Sequence, residues 1–261
     1  MVLLSHELRR GRLALIIWAA VLSFTLAVSI LIFPMLEAEM AEMEAMLESM
    51  GPFMEALGME NVNFAEFTSY FGSECGETLG LGGAIFAALL GISLLSKEEK
   101  EHTAEFLLSH PISRARIVTE KLLSAVVRIL LLNLAVFLVS LFSILAIGAD
   151  ADFKAISLLF LAFALLQTEI LSISVGISAF LRRSGVGIGI GVTFLLYALN
   201  LLSNLAEDVE FLRYLTPFGF ASGAEILDAG SIPAIPLAVG AVVTALSVAA
   251  AYFGYTRKDI A

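Results

Sequence analysis

Glu169 is the clearest side chain in this sequence that could do chemistry in an apolar environment. It lies in the apolar run Ala155–Leu181, about twelve residues from Arg182, or about 18 Å along a helix. Asn133 has a similar depth, about 16 Å, in the run Leu122–Gly148. Polar groups this deep in a membrane are candidates for a translocation path. The competing hypothesis is that Glu169, protonated or hydrogen-bonded, holds spanning helices together.

The sequence offers no constellation of side chains for catalysis. All three histidines, His6, His102 and His110, lie outside the apolar runs and away from Glu169. We therefore predict no catalytic residue and no resident metal, and the sequence argues against an intramembrane protease. The chain also lacks the G-x-x-x-x-G-K-[ST] loop that binds nucleotide phosphates. It is not expected to hydrolyse ATP by the usual route or to hold a cofactor of its own.

Methionines are concentrated in one acidic stretch, MLEAEMAEMEAMLESMGPFMEALGME, residues Met35–Glu60. Its Met and Leu residues alternate at spacings of four and three, which places them on one helical face. Gly51-Pro52 interrupts the run, so the stretch predicts a pair of helices with a shared apolar face. The candidate residues of an external substrate surface are Met40, Met43, Met50 and Met54.

Three hypotheses for this apolar face stay open. In the first, the face packs on the spanning helices, on a second copy of the chain or at the lipid interface. In the second, it is an adaptable binding surface for apolar cargo, because methionine side chains are flexible. The third is Cu(I) binding through thioethers, with Cys75 as a further ligand. The lack of an external histidine and the leucines on the same face argue against copper. Cys75 is the only cysteine, so no intrachain disulfide forms, and we expect a half-buried, inert thiol outside the membrane rather than a cross-link between copies.

The composition is that of an integral membrane protein. Hydrophobic residues make up 59% of the chain and charged residues 15%, whereas soluble domains carry roughly 25% charged residues. Six apolar runs reach the length of about 20 residues that a spanning helix needs. Because lipid forces the backbone groups to pair internally, these runs predict an all-α polytopic fold in a single domain, residues 1–261. The runs are Leu13–Phe33, Thr78–Ser96, Leu122–Gly148, Ala155–Leu181, Gly185–Ala206 and Ala234–Tyr255.

The positions of the fifteen Lys and Arg residues predict the orientation of the chain. Twelve lie on the side that carries both termini, only Lys154 and Arg213 lie on the other, and Arg128 is inside a span. Positively charged residues are retained on the cytoplasmic side, so both termini are predicted to be cytoplasmic. The net charge of −10 argues against nucleic acid as a partner.

Segments outside the spans complete the predicted architecture. Residues 1–11, MVLLSHELRRG, are basic and amphipathic, which predicts a helix along the cytoplasmic membrane surface. Residues 35–77 form the acidic external loop that contains the predicted helical hairpin. The Gly run Gly185–Gly191 has small-residue spacing, for which ordinary close packing of helices is the favoured interpretation.

The cytoplasmic loop, residues 97–121, has the pattern of a helical hairpin. His110-Pro111 ends its first helix, because the residue before proline avoids the helical region. Ser113 is expected to cap the next helix, which runs into the third span. Such a rigid element could transmit force from a soluble partner to two spans, or it could be a solvated connection.

The same loop resembles that of permease subunits of type-2 ATP-binding-cassette (ABC) exporters. Its sequence EKEHTAEFLLSHPISR, Glu99–Arg114, is similar to the family pattern E-x-x-T-x-E-x-L-L-x-x-P-I/V-S-R. The segment LRYLTPF, Leu212–Phe218, and the ending Arg257–Asp259 also resemble the family, so the resemblance covers nearly the whole chain. It implies a coupling helix in this loop that docks on an ATPase subunit. The residues implied at that contact are Glu101, Thr103, Glu105 and Arg114.

The resemblance also implies partners and a location. Six spans are half the usual number in a complete transporter of this family, which implies a second permease chain, identical or related. The family resemblance also implies two separate ATPase subunits that bind ATP and Mg²⁺. It implies a plasma-membrane protein in which residues 1–11 form a connecting helix beside the coupling helix. Two alternatives from other classes are a non-transporting membrane scaffold or sensor with this fold, and a gradient-driven secondary transporter. The second alternative would use Glu169 as its coupling acid.

Overall fold

The structure of the chain, a computed structural model, describes residues 2–48, 56, 66–97, 112–149, 151–181, 185–205 and 207–258. These residues contain helices and no strand, so the all-α prediction is confirmed. One segment, Gly76–Gly82, is π-helical, and two short stretches, Glu207–Leu215 and Pro217–Phe220, are 3₁₀-helical. The α-helices are α1 (Val2–Arg10), α2 (Arg12–Glu48), α3 (Phe67–Cys75), α4 (Gly83–Leu94), α5 (Arg114–Ile147), α6 (Phe153–Ser178), α7 (Val186–Leu205), α8 (Gly223–Ala229) and α9 (Ala234–Arg257).

Six helical stretches in the described residues are long and apolar enough to cross a membrane, as predicted. The boundaries on either side of the external loop differ most from the sequence prediction. The second span begins at Phe67 rather than Thr78, because Phe67 packs edge-on against Phe33 of the first span. Helix α2 continues through Pro34, so the Met-rich stretch begins as a direct extension of the first span. The spans are Arg12–Glu37, Phe67–Leu94, Arg114–Ile147, Phe153–Ser178, Val186–Leu205 and Ala234–Arg257.

Local capping residues set where the two central helices begin and end. The side chain of Ser113 accepts a hydrogen bond from the backbone N–H of Arg116 at 3.3 Å, as the sequence predicted. Asp152 caps α6 in the same way, accepting from the N–H of Lys154 at 2.8 Å. Helix α5 ends at Gly148, whose φ of 68° is the left-handed conformation that favours glycine. These caps let the chain leave α5 and re-enter the bundle as α6 within a few residues.

The second and fourth spans form the centre of the bundle. In their apolar windows 61% of the residues are buried, against 17% for the fifth and sixth spans. Helix α4 packs along α6, α9 covers the other side of α6, and α7 packs on α4. The first span lies along α5. Three spans therefore leave wide apolar faces uncovered within one chain.

Glycine permits the closest contacts between these helices. A side chain at Gly91 would meet the backbone oxygen of Leu171 at 2.6 Å, so α4 and α6 touch backbone to backbone there. Gly185, directly before α7, and Gly189 on α7 both pack on Ile92, while Gly187 faces open space. The predicted close packing is therefore found at Gly185 and Gly189, and not at Gly187 and Gly191.

The segment after α7 folds back along the helix that it leaves. The hydroxyl of Thr216 donates to the backbone oxygen of Leu196 at 2.9 Å, about 13 Å below the end of α7 by helix rise. The ring of Phe218 meets that of Tyr197 edge-on, with centroids 5.2 Å apart. This return path brings Phe220 against the outer part of α9 and close to Glu169.

Candidate functional site

Glu7 is the centre of a buried charge cluster at the end of the bundle that carries both termini, which we call the terminal face. Glu7 is only 5% exposed. Its carboxylate lies 3.8 Å from Lys121 Nζ and 3.9 Å from Arg128 Nη2, and Arg128 also donates to the backbone oxygen of Glu7. Lys121 and Arg128 are seven residues apart and so share one face of α5. The cluster therefore holds α1 against two turns of α5.

A second carboxylate secures the beginning of α1. Glu120 accepts a hydrogen bond from the backbone N–H of Leu4 at 3.2 Å and another from Arg116 Nε at 2.9 Å. An acid at this position satisfies an otherwise unpaired N–H and stabilises the positive end of the helix dipole. Helix α1 is thus docked at both ends rather than joined only through Gly11.

Hydrogen bonds on the terminal face also join the ends of four spans. Lys121 Nζ donates to the backbone oxygen of Leu94 at 2.7 Å, which ties α5 to the end of α4. The hydroxyl of Ser178 accepts from the N–H of Leu95 at 3.1 Å, which ties α4 to α6. Arg114 Nη1 donates to the backbone oxygen of Lys258 at 2.6 Å, which ties α5 to the end of α9. The loop 97–121 enters and leaves the bundle at this network.

The predicted ATPase contact has only one described residue. Arg114 is half-buried and binds backbone oxygens at the end of α9, and its contact with an ATPase stays a prediction. Glu101, Thr103 and Glu105 lie outside the residues that the structure describes.

Asn133 belongs to a polar cluster that joins three spans. Its Nδ2 donates to Gln167 Oε1 at 2.7 Å, and Gln167 Nε2 donates to the backbone oxygen of Leu79 at 3.0 Å. Leu79 lies in the π-helical segment, where the regular hydrogen-bond ladder of a helix is interrupted. A side chain at Gly83 would occupy the place of the Gln167 amide. The amide of Gln167 on α6 therefore satisfies a backbone carbonyl in an irregular turn of the second span.

Replacement of the two amides should separate their roles. We expect Gln167→Leu to lower the apparent melting temperature more than Asn133→Leu, because it leaves both the Leu79 carbonyl and the Asn133 amide without this partner. Asn133→Leu removes an Oδ1 that already has no hydrogen-bond partner in the described residues. Hydrogen bonds between spans are worth about 0.6–2 kcal/mol each, so the difference should be a few degrees. Thermal unfolding of both purified variants measures it, and an equal or larger loss for Asn133→Leu would contradict this assignment.

Glu169 lies on a different side of α6 from this cluster. It is 5% exposed, and a side chain at Gly240 of α9 would collide with its carboxylate. Phe220 borders the same place. In the described part of the chain no donor or cation lies within hydrogen-bonding distance of this carboxylate. Because residues two apart on a helix do not face each other, Glu169 and the Asn133–Gln167 pair are separate sites.

Arg128 and Glu169, the two ionisable residues that the sequence places inside spans, do not pair with each other in the structure. Arg128 instead extends to the terminal face and pairs with Glu7. This direction agrees with the tendency of a long cationic side chain to reach toward the membrane edge. Sequence reasoning missed Glu7, although one signal was available: it is the only acidic residue before Glu37, on an amphipathic helix.

The external candidates are described only in part. The backbone of Met40 and Met43 belongs to α2, but the structure does not describe their side chains. Met50 and Met54 lie outside the described residues. Cys75 is fully buried inside the second span rather than half-buried outside the membrane, because α3 begins earlier than predicted. Among described residues, no group of three or more His, Cys, Asp or Glu side chains could hold a metal ion.

Comparison with known families gives one match over almost the full length. Residues 1–260 match the family model described as ABC-2 family transporter protein. No curated protein gives a match to the chain. The family match agrees with the resemblance carried by the loop 97–121, so that prediction is confirmed.

Proposed function

The chain belongs to the ABC-2 transporter family as a membrane-spanning permease, and we propose that it is the permease subunit of an ATP-driven exporter. In this proposal two separate ATPase subunits bind ATP and Mg²⁺ and dock on the terminal face, which is the cytoplasmic side. The protein resides in the plasma membrane, and its own residues bind and move cargo without covalent chemistry.

The observation that carries this proposal is the network on the terminal face. The loop 97–121 connects α4 to α5, and the same two helix ends are joined directly by Lys121 and the Leu94 carbonyl. Glu7 extends the network to α1, and Arg114 extends it to α9. A displacement of the loop by a docked ATPase would therefore move several spans together instead of bending one connection.

Uncovered apolar faces support a second permease chain. Only 22% of the first span and 17% of the fifth and sixth spans are buried in their apolar windows. Lipid covers part of such a surface, and a second copy or a related chain covers the rest and completes a path between two permeases. Glu169 and Asn133 are the candidate polar residues near such a path, and the Met-rich stretch is the candidate external surface for cargo.

Charge reversal in the loop tests the coupling to an ATPase. We expect the wild-type chain to co-purify with the ATPase encoded beside its gene, and Glu105→Arg to reduce the recovered complex or its ATP turnover at least tenfold. A reversed charge at a docking contact leaves like charges opposed at a buried interface, which costs several kcal/mol. The matched control is Asp208→Arg, which makes the same change at an exposed position on the opposite face. Failure of the wild type to bind any ATPase under mild conditions would overturn the proposal.

A gradient-driven transporter is the alternative that the buried carboxylate of Glu169 favours. In that case Glu169→Gln should abolish substrate movement that depends on an imposed ion gradient. In an ATP-driven exporter the same change should leave complex formation with the ATPase intact. Transport into proteoliposomes, measured with ATP alone and with a gradient alone, separates the two functions. A complex that binds the ATPase but moves nothing would indicate the scaffold or sensor.

A further inference from the structure

We propose that Glu77 binds the positive charge of a lipophilic organic cation where the second and fifth spans meet. The sequence prediction put Glu77 at the end of the external loop, but the structure includes it in the second span, Phe67–Leu94. Glu77 lies about 25 Å from Leu94 by helix rise, in the half of the bundle opposite the terminal face. The inference rests on the permease function proposed above, because it takes this cation to be cargo.

The carboxylate of Glu77 is the less engaged of two acids in this part of the span. Glu74, one turn earlier, is half-buried and accepts a hydrogen bond from Ser29. Glu77 is exposed, and within the described part of the chain it has one hydrogen-bond partner, the hydroxyl of Tyr197 on α7, at 3.4 Å. This distance is longer than the usual O–H···O bond, so the carboxylate keeps most of its capacity to accept. Acids inside spans are costly and mark paths for substrates or ions.

The chain itself does not supply a charge that balances Glu77. By sequence, the side opposite the terminal face carries only two cations, Lys154 and Arg213. Arg213 binds Glu225, and in the described residues neither cation forms an ion pair with Glu77. A second, identical chain would bring only the same two cations to this side. The complementary charge is therefore left to a ligand.

Aromatic groups and open space beside Glu77 favour an organic cation. The ring of Tyr197 packs edge-on against Phe218, which positions it next to the carboxylate. The face of an aromatic ring attracts cations. Phe194, one turn before Tyr197, is 47% exposed, and a side chain at Gly76 would meet nothing within 4 Å. A bulky apolar cation therefore has both a charged partner and room, whereas one carboxylate supplies too few oxygens for a divalent metal ion.

A polar stripe on α7 leads to this position from the external side. Tyr197, Asn200 and Asn204 recur at spacings of three and four, so they share one helical face. Asn204 Nδ2 donates to the backbone oxygen of Ala56 in the external loop at 3.4 Å. The stripe covers about 10 Å of helix rise and provides a polar route for a charged group between the external loop and Glu77.

Tetraphenylphosphonium and tetraphenylborate test the site, because they have the same shape and opposite charge. The full chain is reconstituted in phosphatidylcholine nanodiscs, and binding of each ion is measured by equilibrium dialysis against empty nanodiscs. We expect saturable binding of tetraphenylphosphonium and none of tetraphenylborate. Glu77→Gln should weaken the binding at least about tenfold, because the loss of a close charge pair costs more than the free energy of a tenfold change. Glu77→Asp should retain most of it.

Other variants separate the carboxylate from its surroundings. Glu74→Gln is the matched control, because it removes the same charge one turn away on the same span, from a carboxylate that already binds Ser29. It should change the affinity less than about threefold, since its charge acts over a longer and better screened distance. Tyr197→Phe keeps the ring and should bind the cation nearly as well as the wild type. Tyr197→Leu should bind it more weakly.

Four outcomes would overturn the proposal, each measured on protein that elutes as a single species. They are equal binding of the two ions by the wild type, an unchanged affinity in Glu77→Gln, an equal loss in Glu74→Gln, and displacement of tetraphenylphosphonium by calcium at constant ionic strength. The third would assign the binding to the general negative charge of this side, and the fourth to an inorganic cation site. No ATPase is present in these measurements, so their failure is distinguishable from failure of the exporter function.

Discussion

Glu7→Gln should lower the apparent melting temperature of the purified chain by on the order of 10 °C and release α1 from α5. The change removes the carboxylate that lies 3.9 Å from Arg128 Nη2 and 3.8 Å from Lys121 Nζ, and Arg128 is the buried cation that loses its acidic partner. Removal of one partner from a buried ion pair costs about 3–5 kcal/mol, because the remaining charge is desolvated and unpaired. A loss of 3 kcal/mol corresponds to roughly 6–12 °C for a chain of this size.

Two measurements report on this variant. Thermal unfolding gives the stability, and limited trypsin cleavage after Arg9 and Arg10 should become faster when α1 leaves its site. Ser5→Gln is the matched control, because it places glutamine at an exposed position of the same helix. The double variant Glu7→Gln/Arg128→Gln should recover part of the loss, since it restores the balance of charges. Independent, additive losses in the two single variants would refute a direct coupling between these side chains.

Gly91→Val should prevent the second and fourth spans from packing and reduce the yield of monodisperse protein several-fold. The valine Cβ would lie 2.6 Å from the backbone oxygen of Leu171 and 2.8 Å from the Cβ of Ser174. Neither atom belongs to the flexible end of a side chain, so the two helices themselves must separate. Overpacking of a filled core costs about 1–3 kcal/mol, and this contact lies between the two most buried spans.

Size-exclusion chromatography of the detergent-solubilised chain measures this effect. Gly187→Val is the matched control, because it makes the same substitution within a span where a side chain would meet nothing within 4 Å. The control accounts for the general effect of valine for glycine in an apolar helix. If the two variants behave alike, the close contact between α4 and α6 does not determine the stability of the bundle.

The number and approximate position of the spans could be predicted because apolar length alone determines them. Ser113 as a helix cap and the close packing of Gly189 were also predictable, since each depends on neighbours within a few residues or on a simple spacing rule. The length of α2 was not. Proline usually ends a helix in water, but Pro34 lies inside α2, which continues from the apolar span into the Met-rich stretch.

The side-chain partners could not be predicted from one sequence. Glu7 and Arg128 are separated by 121 positions, and hydropathy says nothing about which acid an intramembrane arginine will meet. Arg128 pairs with Glu7 and not with the acid inside a span, Glu169, and only the packing of α1 on α5 decides this. The pairing of Asn133 with Gln167 likewise depends on the irregular turn at Leu79, which has no reliable signal in the sequence.

The central position of the second span has a consequence for how the chain is made. This span is the least apolar of the six in the described residues, yet it is among the most buried. Its main neighbour, the fourth span, leaves the ribosome about eighty residues later, roughly 4–16 s at ordinary rates of synthesis. During that interval the available contacts are those with the first and third spans. With the first span, Glu74 accepts a hydrogen bond from Ser29 at 2.6 Å and Tyr70 donates to the Ser29 carbonyl at 3.1 Å. We therefore expect these early contacts to stabilise the nascent second span in the membrane until its main neighbour is synthesised.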